Sequence, residues 1–116
     1  MPLITINIAE GMTEEAIDQL QKTIHTCFVR AWGIPENGGF YVINEHKKSH
    51  MRISRSMWGI NRSEHSPLLL QITSSPRSKE LKIELFRVLS EEIEKQGIQK
   101  EDLFISIIPT QREDWS

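Results

Sequence analysis

The stretch Pro2-Leu3-Ile4-Thr5-Ile6-Asn7-Ile8 decides the fold, because a second stretch, Pro67-Leu68-Leu69-Leu70-Gln71-Ile72, repeats its character later in the chain. Each is a short apolar run that begins with proline, and the first is rich in β-branched residues, which favour extended strands. A β-strand is therefore predicted at each stretch. The residues that come after the two strands are also similar to each other.

A helix is predicted after each of these strands. Thr13 and Ser78 are suitable N-cap residues, while Gly33 and Gly97 are suitable helix ends. Between these limits, apolar residues recur at helical spacing. They are Ile17, Leu20, Ile24, Cys27, Phe28 and Ala31 in the first helix, and Leu81, Leu85, Val88, Leu89 and Ile93 in the second.

A further strand is predicted after each helix, at residues 40–43 and 103–108. The two halves superpose at an offset of 65 residues for the first strand and helix start, and 64 for Gly33 with Gly97 and Phe40 with Phe104. The chain is thus predicted to be one domain over residues 1–116, in four parts. They are a β-α-β unit at 2–44, a connector at 45–66, a second β-α-β unit at 67–109 and a C-terminal tail at 110–116.

The predicted fold class is α+β, with a four-stranded sheet and two helices on one face. A right-handed crossover makes the two strands within each unit parallel. Two layers result, and the opposite face of the sheet is predicted to be apolar. Because no third helix is available to cover that face, self-association is expected.

Composition excludes several classes of protein. The 116 residues fit a single domain, and 14 lysines and arginines against 16 aspartates and glutamates give a net charge of -2, unlike a typical nucleic-acid binder. No stretch approaches the roughly 20 apolar residues of a membrane span. The first ten residues lack the basic segment of a signal peptide, and the single cysteine, Cys27, forms no internal disulfide. A cytoplasmic protein without nucleic-acid or membrane partners is therefore predicted.

The connector is more basic than the rest of the chain. Residues 46–65 hold five lysines and arginines against Glu64, a formal charge of +4, so the remainder carries -6. Either a solvated loop or a surface for an anionic ligand or nucleic acid fits this charge. His46 and His50 are spaced as a metal pair on a helix would be, but the flanking residues do not favour a helix. No metal site is predicted.

Pro2 is the candidate catalytic residue. Cytoplasmic aminopeptidases remove an initiator methionine that precedes a small residue, and removal of Met1 would leave a secondary amine at the start of a strand. The pKa of an ordinary α-amino group is about 7.7–8.0, and burial and nearby arginines both lower the pKa of an amine. The result is a base suited to neutral pH.

The chain resembles the tautomerase superfamily, and within it the branch that contains malonate semialdehyde decarboxylase. The resemblance runs nearly end to end, on the order and spacing of short motifs. They are Met1-Pro2-Leu3, Glu10-Gly11, Ile34-Pro35-Glu36, Glu45-His46-Lys47, Thr73-Ser74-Ser75-Pro76-Arg77-Ser78 and Asp114-Trp115-Ser116. It implies a tautomerase or MIF-like fold of β-α-β units, catalysis by an amino-terminal proline, no cofactor, and assembly as trimers or hexamers. We expect a homotrimer.

The resemblance also implies roles for particular residues. Pro2 matches the catalytic proline, Arg77 one of two arginines that hold the substrate carboxylate, and Trp115 a tryptophan that lines the pocket. Two positions depart from the branch: Ser75 stands at the position of the second arginine, and Gly38 at that of an aspartate that directs water or the carboxylate. Ser75 is retained as a candidate substrate-binding residue.

The leading functional hypothesis is a tautomerase that moves a proton on a small 2-oxo or enol carboxylate, with Pro2 as acid and base. One alternative is a 3-oxoacid decarboxylase or hydratase, which needs the acid that Gly38 lacks. Another alternative is a non-catalytic oligomeric protein that binds ligands through the basic connector. The sequence alone leaves all three open.

Overall fold

The structure is a computed structural model that describes residues 2–62 and 67–116. It contains four β-strands and two α-helices, with four short 3-10 turns in the connections. The main elements are β1 (Leu3–Ala9), α1 (Glu14–Trp32), β2 (Phe40–His46), β3 (Leu68–Ser74), α2 (Lys79–Glu94) and β4 (Leu103–Pro109). Strand β2 is three residues longer than predicted, because its pairing with β1 continues as far as His46.

Both helices begin where the sequence predicts. The Thr13 side chain accepts a hydrogen bond from the Ala16 N–H at 3.1 Å, and the Ser78 side chain accepts one from the Leu81 N–H at 3.2 Å. Helix α1 ends at Gly33, which takes a left-handed conformation at φ 66. Helix α2 ends at Glu94, before Gly97, which lies in the turn after the helix.

The sheet has the strand order β2-β1-β3-β4. The pairs β1–β2 and β3–β4 are parallel, whereas the central pair β1–β3 is antiparallel. The predicted α+β architecture of two β-α-β units, with two helices on one face of a four-stranded sheet, is confirmed.

The residue-by-residue superposition of the two units is wrong within the first strands. Leu68 pairs with Ile8, and both side chains are buried beneath the helices, Leu68 at 1% exposure. Leu3 lies on the opposite face of the sheet. An offset of 65 therefore matches residues on opposite faces, because the side chains of a strand alternate with a period of two. The duplication holds for elements and not for each residue.

The core lies between the sheet and the helices. Strand β1 contributes Ile4, Ile6 and Ile8, and their partners on β3 are equally buried. The predicted apolar faces of the helices supply most of the remaining core. The fully buried helix residues are Leu20, Ile24, Cys27, Phe28, Leu85, Val88, Leu89 and Ile93. Leu81 is predicted on this face but is 38% exposed, because it lies in the first turn, at the N-terminal end of α2.

The open face of the sheet is mixed, and the expectation of an apolar face is wrong. Polar and apolar side chains occur on it in about equal number. The polar ones are Thr5, Asn7, Asn44, His46, Gln71, Thr73 and Ser106, and the apolar ones Leu3, Ala9, Phe40, Val42, Leu69, Phe104 and Ile108. Three of the polar residues are hydrogen-bonded together, since Asn7 Oδ1 accepts from His46 Nε2 at 2.9 Å and from Asn44 Nδ2 at 3.4 Å.

The connector covers part of this open face. The Trp58 ring stacks on Phe104 with centroids 5.9 Å apart and an interplanar angle of 9°. Residues 63–66, at the end of the connector, lie outside the described residues. They include Glu64 and His65, which contribute to the charge predicted for the connector. Within the described residues, no helix is both long enough and apolar enough to cross a bilayer.

Candidate active site

Pro2 is buried at the point where β1 begins. Its carbonyl accepts a hydrogen bond from the Phe40 N–H at 3.0 Å, which ties it to the start of β2. On the other side, Leu3 pairs with Thr73, so Pro2 lies one register position further along, beside the end of β3. The proline is thus enclosed by both neighbouring strands. Met1, whose removal is predicted, lies outside the described residues.

The C-terminal tail folds back onto the same end of the sheet. The Ser74 carbonyl accepts hydrogen bonds from the Thr110 N–H at 2.8 Å and from Thr110 Oγ1 at 3.1 Å. The indole Nε1 of Trp115 in turn donates to Thr110 Oγ1 at 2.7 Å. These bonds hold Trp115 close to the end of β3.

A cleft of about 450 Å³ opens between the tail, the end of β3 and the start of β2. Its lining residues are Phe40, Ser75, Pro76, Thr110, Gln111, Arg112, Trp115 and Ser116. Two predicted substrate-binding residues, Ser75 and Trp115, are therefore brought together. Pro2 adjoins this cleft through its hydrogen bond with Phe40, although it is not itself one of the lining residues.

Arg77, the third predicted substrate-binding residue, does not line this cleft. Its guanidinium carbon lies 4.8 Å from the centre of the Trp32 ring, and Trp32 Nε1 donates to the Leu81 carbonyl at 3.0 Å. The Arg77 Nε is buried and has no hydrogen-bond partner among the described residues. The structure therefore holds Arg77 on the helix layer, two residues along the chain from the lining residue Ser75, and does not place it in the wall of the cleft.

The loop between α1 and β2 is fixed by His25 and Tyr41, which sequence reasoning missed. The His25 ring lies 2.7 Å from the Glu36 carbonyl through Nε2 and 2.5 Å from the Tyr41 hydroxyl through Nδ1. Because a carbonyl only accepts, Nε2 donates to Glu36, which leaves Nδ1 to accept from the Tyr41 hydroxyl. Burial raises the pKa of the Tyr41 hydroxyl to about 12, which keeps it a donor.

Gly38 and Gly39 complete this loop. Gly38 is buried, and its N–H donates to the Pro35 carbonyl at 2.9 Å. Gly39 has a φ of 83, and a Cβ there would lie 3.0 Å from the Tyr41 ring, so glycine is required. Glu36 and Asn37 are exposed. Glu36, the acidic residue of this loop, therefore lies at the surface and not at the buried position of Gly38.

Other candidate groups are separate from this cleft. Burial, reinforced by the Glu92 carboxylate, raises the pKa of the Cys27 thiol to about 11, so it is not a nucleophile at neutral pH. A second cleft, of about 410 Å³, lies at the opposite end of β1, and Glu10 is its only ionisable lining side chain in the described chain. The described residues also contain no group of three or more metal-ligating side chains.

Comparison with known proteins identifies the family. Two family models, both described as tautomerase enzyme, match residues 2–58 and residues 38–116. A probable tautomerase of Bacillus subtilis (strain 168), YrdN, is 32% identical over 117 positions, covering 100% of this chain and 90% of the relative. The chain therefore belongs to the tautomerase superfamily of enzymes, as the resemblance in the sequence predicts.

Solved structures agree with this assignment. Malonate semialdehyde decarboxylase, whose crystal structures are described as a basis for decarboxylase and hydratase activities, is 28% identical with a TM-score of 0.90. That match covers 98% of this chain and 88% of the other. Fused 4-OT, described as a symmetric trimer, gives a TM-score of 0.81 at 18% identity and covers 98% of this chain and 89% of the other. The second likeness concerns the fold alone.

Proposed function

We propose that this chain is a cofactor-independent keto–enol tautomerase that acts on a small 2-oxo or enol carboxylate. Pro2, freed by removal of Met1, is the acid and base. The observation that carries the proposal is the position of Pro2, buried at the start of β1 and hydrogen-bonded to Phe40, which lines the cleft. In this position the Pro2 nitrogen would be shielded from water and would lie next to a space for a small substrate.

The proposed reaction needs one proton carrier. The Pro2 nitrogen takes a proton from the enol oxygen side or from carbon and returns it at the other position, so no net charge accumulates on the protein. Burial of the amine lowers its pKa and favours the neutral base. Arg77, which the resemblance matches to a carboxylate-binding arginine and which lies two residues from the lining residue Ser75, binds the substrate carboxylate and stabilises the developing enolate. Ser75 donates a hydrogen bond from its hydroxyl to the substrate, and Trp115 excludes water.

A homotrimer in the cytoplasm is part of the same proposal. The trimer is supported by fused 4-OT, described as a symmetric trimer with the same fold, and by the apolar residues left on the open face, among them Phe40 at 58% and Val42 at 48% exposure. The cytoplasmic location is supported by the single cysteine, Cys27, which is buried and unpaired.

A 3-oxoacid decarboxylase or hydratase is the second candidate. The similarity to malonate semialdehyde decarboxylase at 28% identity favours it. However, hydration needs a group that activates and aims water, and the loop carries buried Gly38 where that branch has its aspartate. The tautomerase proposal needs no such group.

The proposal is tested by combining mass spectrometry of the purified chain with an assay of phenylenolpyruvate tautomerisation. We expect a mass without Met1 and measurable turnover that falls at least 10²-fold in Pro2→Ala, since general acid–base catalysis contributes about 10²–10⁴-fold. Pro67→Ala is the matched control, because Pro67 precedes the corresponding strand, away from the cleft. Retention of Met1, or equal activity in Pro2→Ala and the wild type, would contradict the proposal.

A further inference from the structure

Residues 110–115 form a compact turn, which we call the tail turn, that packs on the end of β3. The Gln111 N–H donates to Asp114 Oδ2 at 2.7 Å, and the Asp114 N–H donates to the Gln111 carbonyl at 3.1 Å. The turn is attached to the sheet by the bonds from Thr110 to the Ser74 carbonyl. It therefore has a defined shape and a fixed place at the mouth of the cleft.

Arg112 lies in this turn and lines the cleft. Among the described lining residues it carries the only charged side chain. Its Nη1 donates to the Trp115 carbonyl at 3.3 Å, a long bond, and no described carboxylate lies within ion-pair distance of it. Of the two acids that follow it in sequence, Glu113 is exposed and forms no ion pair with it, and Asp114 is bound to the Gln111 N–H instead. Most of the Arg112 donors are thus available to a ligand.

The surroundings of Arg112 favour an anion with an apolar body. The cleft contains the rings of Phe40, Trp115 and Pro76, and the hydroxyl of Ser75. A guanidinium presents parallel donors that match the two oxygens of a carboxylate. Arg112 is exposed and has no ion pair with a described carboxylate, so its charge favours a negatively charged ligand.

We propose that Arg112 is a second cation, in addition to Arg77, that binds the carboxylate of the substrate and sets the specificity of the cleft for small monocarboxylates. This inference rests on the proposed function for the class of substrate, a 2-oxo acid. Ser75 stands at the position where the resemblance implies a second arginine, and Arg112 supplies the cation from the facing tail turn. Arg112 thus brings a positive charge to the cleft from the tail turn, whereas an arginine at position 75 would bring it from the residues after β3.

The Arg112 side chain is not needed to hold the tail turn together. The turn is held by Gln111, Asp114, Thr110 and Trp115, whereas the Arg112 side chain makes only the long bond to the Trp115 carbonyl. Arg112→Ala is therefore expected to keep the fold of the turn. Loss of ligand binding in this variant then reports the missing charge.

Binding is measured in the Pro2→Ala background, where turnover of the ligand is suppressed, by calorimetry with phenylpyruvate and with its neutral amide. We expect Arg112→Ala to weaken phenylpyruvate binding by about 10- to 100-fold and to leave the amide nearly unchanged, since bonds to charged groups contribute about 1.5–3 kcal/mol. Arg112→Lys should fall between, because it keeps the charge and loses the fork. Arg30→Ala, an exposed arginine on α1 away from the cleft, is the control and should match the parent.

A rescue variant separates charge from structure. Ser75→Arg combined with Arg112→Ala restores a cation to the cleft and should recover part of the phenylpyruvate affinity. The Trp115 indole N–H resonance, which reports its bond to Thr110, should stay unchanged in Arg112→Ala. An unaltered affinity for phenylpyruvate in Arg112→Ala, or an equal loss for acid and amide, would overturn the assignment.

The test distinguishes this inference from the proposed function. If the wild-type chain binds the acid more tightly than the amide through Arg112 but shows no tautomerisation, the proposed function fails and the Arg112 assignment stands. If tautomerisation proceeds and depends on Pro2 while Arg112→Ala binds normally, the reverse holds. Failure of the parent protein to prefer acid over amide overturns the Arg112 assignment whatever its activity.

Discussion

Arg77 shows how one side chain combines a structural contact with a proposed functional role. Its guanidinium covers the Trp32 ring, and its Nε remains without a partner among the described residues. A buried donor without a partner costs about 1–3 kcal/mol, so an acceptor supplied by a ligand would stabilise this side chain. A substrate carboxylate is the kind of acceptor that would satisfy it.

Replacing Arg77 should therefore affect binding more than folding. Arg77→Ala should raise KM and lower kcat/KM by roughly 10²-fold, because a carboxylate contact is lost. Loss of the contact with Trp32 should lower the free energy of unfolding by about 1 kcal/mol. Steady-state kinetics and urea denaturation measure the two effects. Arg77→Lys keeps a cation that can lie over Trp32 but loses the guanidinium fork, so it is the control, with most of the stability kept and a smaller kinetic defect expected. Unchanged kinetics in both variants would assign Arg77 to structure alone.

Gly38 is the residue whose replacement tests the limits of the reaction. It is not one of the glycines with a positive φ in the described chain, unlike Gly39 at φ 83, so a side chain at position 38 meets no left-handed strain. The wild-type chain should turn over 3-oxoacids at least 10²-fold more slowly than it tautomerises an enol, since a positioned base contributes about 10²–10⁴-fold.

Gly38→Asp should then raise hydratase or decarboxylase turnover, because the new carboxylate can activate water. Gly38→Asn has the same shape without the charge and should show no gain. Both rates are measured with a 3-oxoacid, alongside tautomerisation as a check on the fold. Efficient decarboxylation by the unmodified chain would instead point to another acid, and Glu36 on the same loop would be the first to replace.

The helices and strands differ in how far local sequence determines them. Helix starts depend on one side chain and the first turn, so the sequence correctly predicts Thr13 and Ser78 as N-caps. The facing of a strand depends on its partners, and a shift of one residue reverses it. For this reason the sequence predicts four strands and their parallel pairs, but it matches Leu3 to Leu68, which lie on opposite faces.

Helix α2 begins just after Ser75 and Arg77, and its N-cap, Ser78, should contribute measurably to stability. Ser78→Ala removes the acceptor for the Leu81 N–H and should lower the free energy of unfolding by about 1 kcal/mol. Ser78→Asp should restore it. Ser90→Ala, in the interior of the same helix, is the matched control and should be neutral or slightly stabilising, because alanine is the better helix former there. Urea denaturation of the three variants checks this, and equal losses at positions 78 and 90 would contradict the capping assignment.

At the scale of the whole molecule, the candidate site is only partly predictable. Pro2, Ser75, Arg77 and Trp115 are indicated by a resemblance that runs along the chain, and two of them line one cleft. Arg112 is not indicated by the sequence, because its place depends on the tail turn folding back to the Ser74 carbonyl. The His25 contacts with Tyr41 and Glu36 likewise join residues on separate elements. Such contacts arise from tertiary structure and leave no local pattern in the sequence.

The open face and the edge strand β2 are the surfaces through which we expect the chain to associate. Strand β2 is at the edge of the sheet, and its Val42 is 48% exposed on the open face, as is Ile108 at 47% on the other edge strand, β4. Unpaired edges and exposed apolar side chains favour association. The polar residues interspersed among them do not prevent it, since interfaces tolerate polar groups that are hydrogen-bonded across the contact.

We therefore expect light scattering to give a mass three times that of the 13.5 kDa chain at micromolar concentration. Val42→Glu should reduce the mass toward that of the monomer, because a carboxylate buried at an interface without a partner costs several kcal/mol. Ile83→Glu is the matched control: Ile83 is 56% exposed on α2, on the outer surface of the helix layer, so its replacement should leave the trimer intact. Far-ultraviolet circular dichroism separates dissociation from unfolding. A monomeric wild type, or dissociation by Ile83→Glu and not by Val42→Glu, would show that the open face is not the surface through which the subunits join.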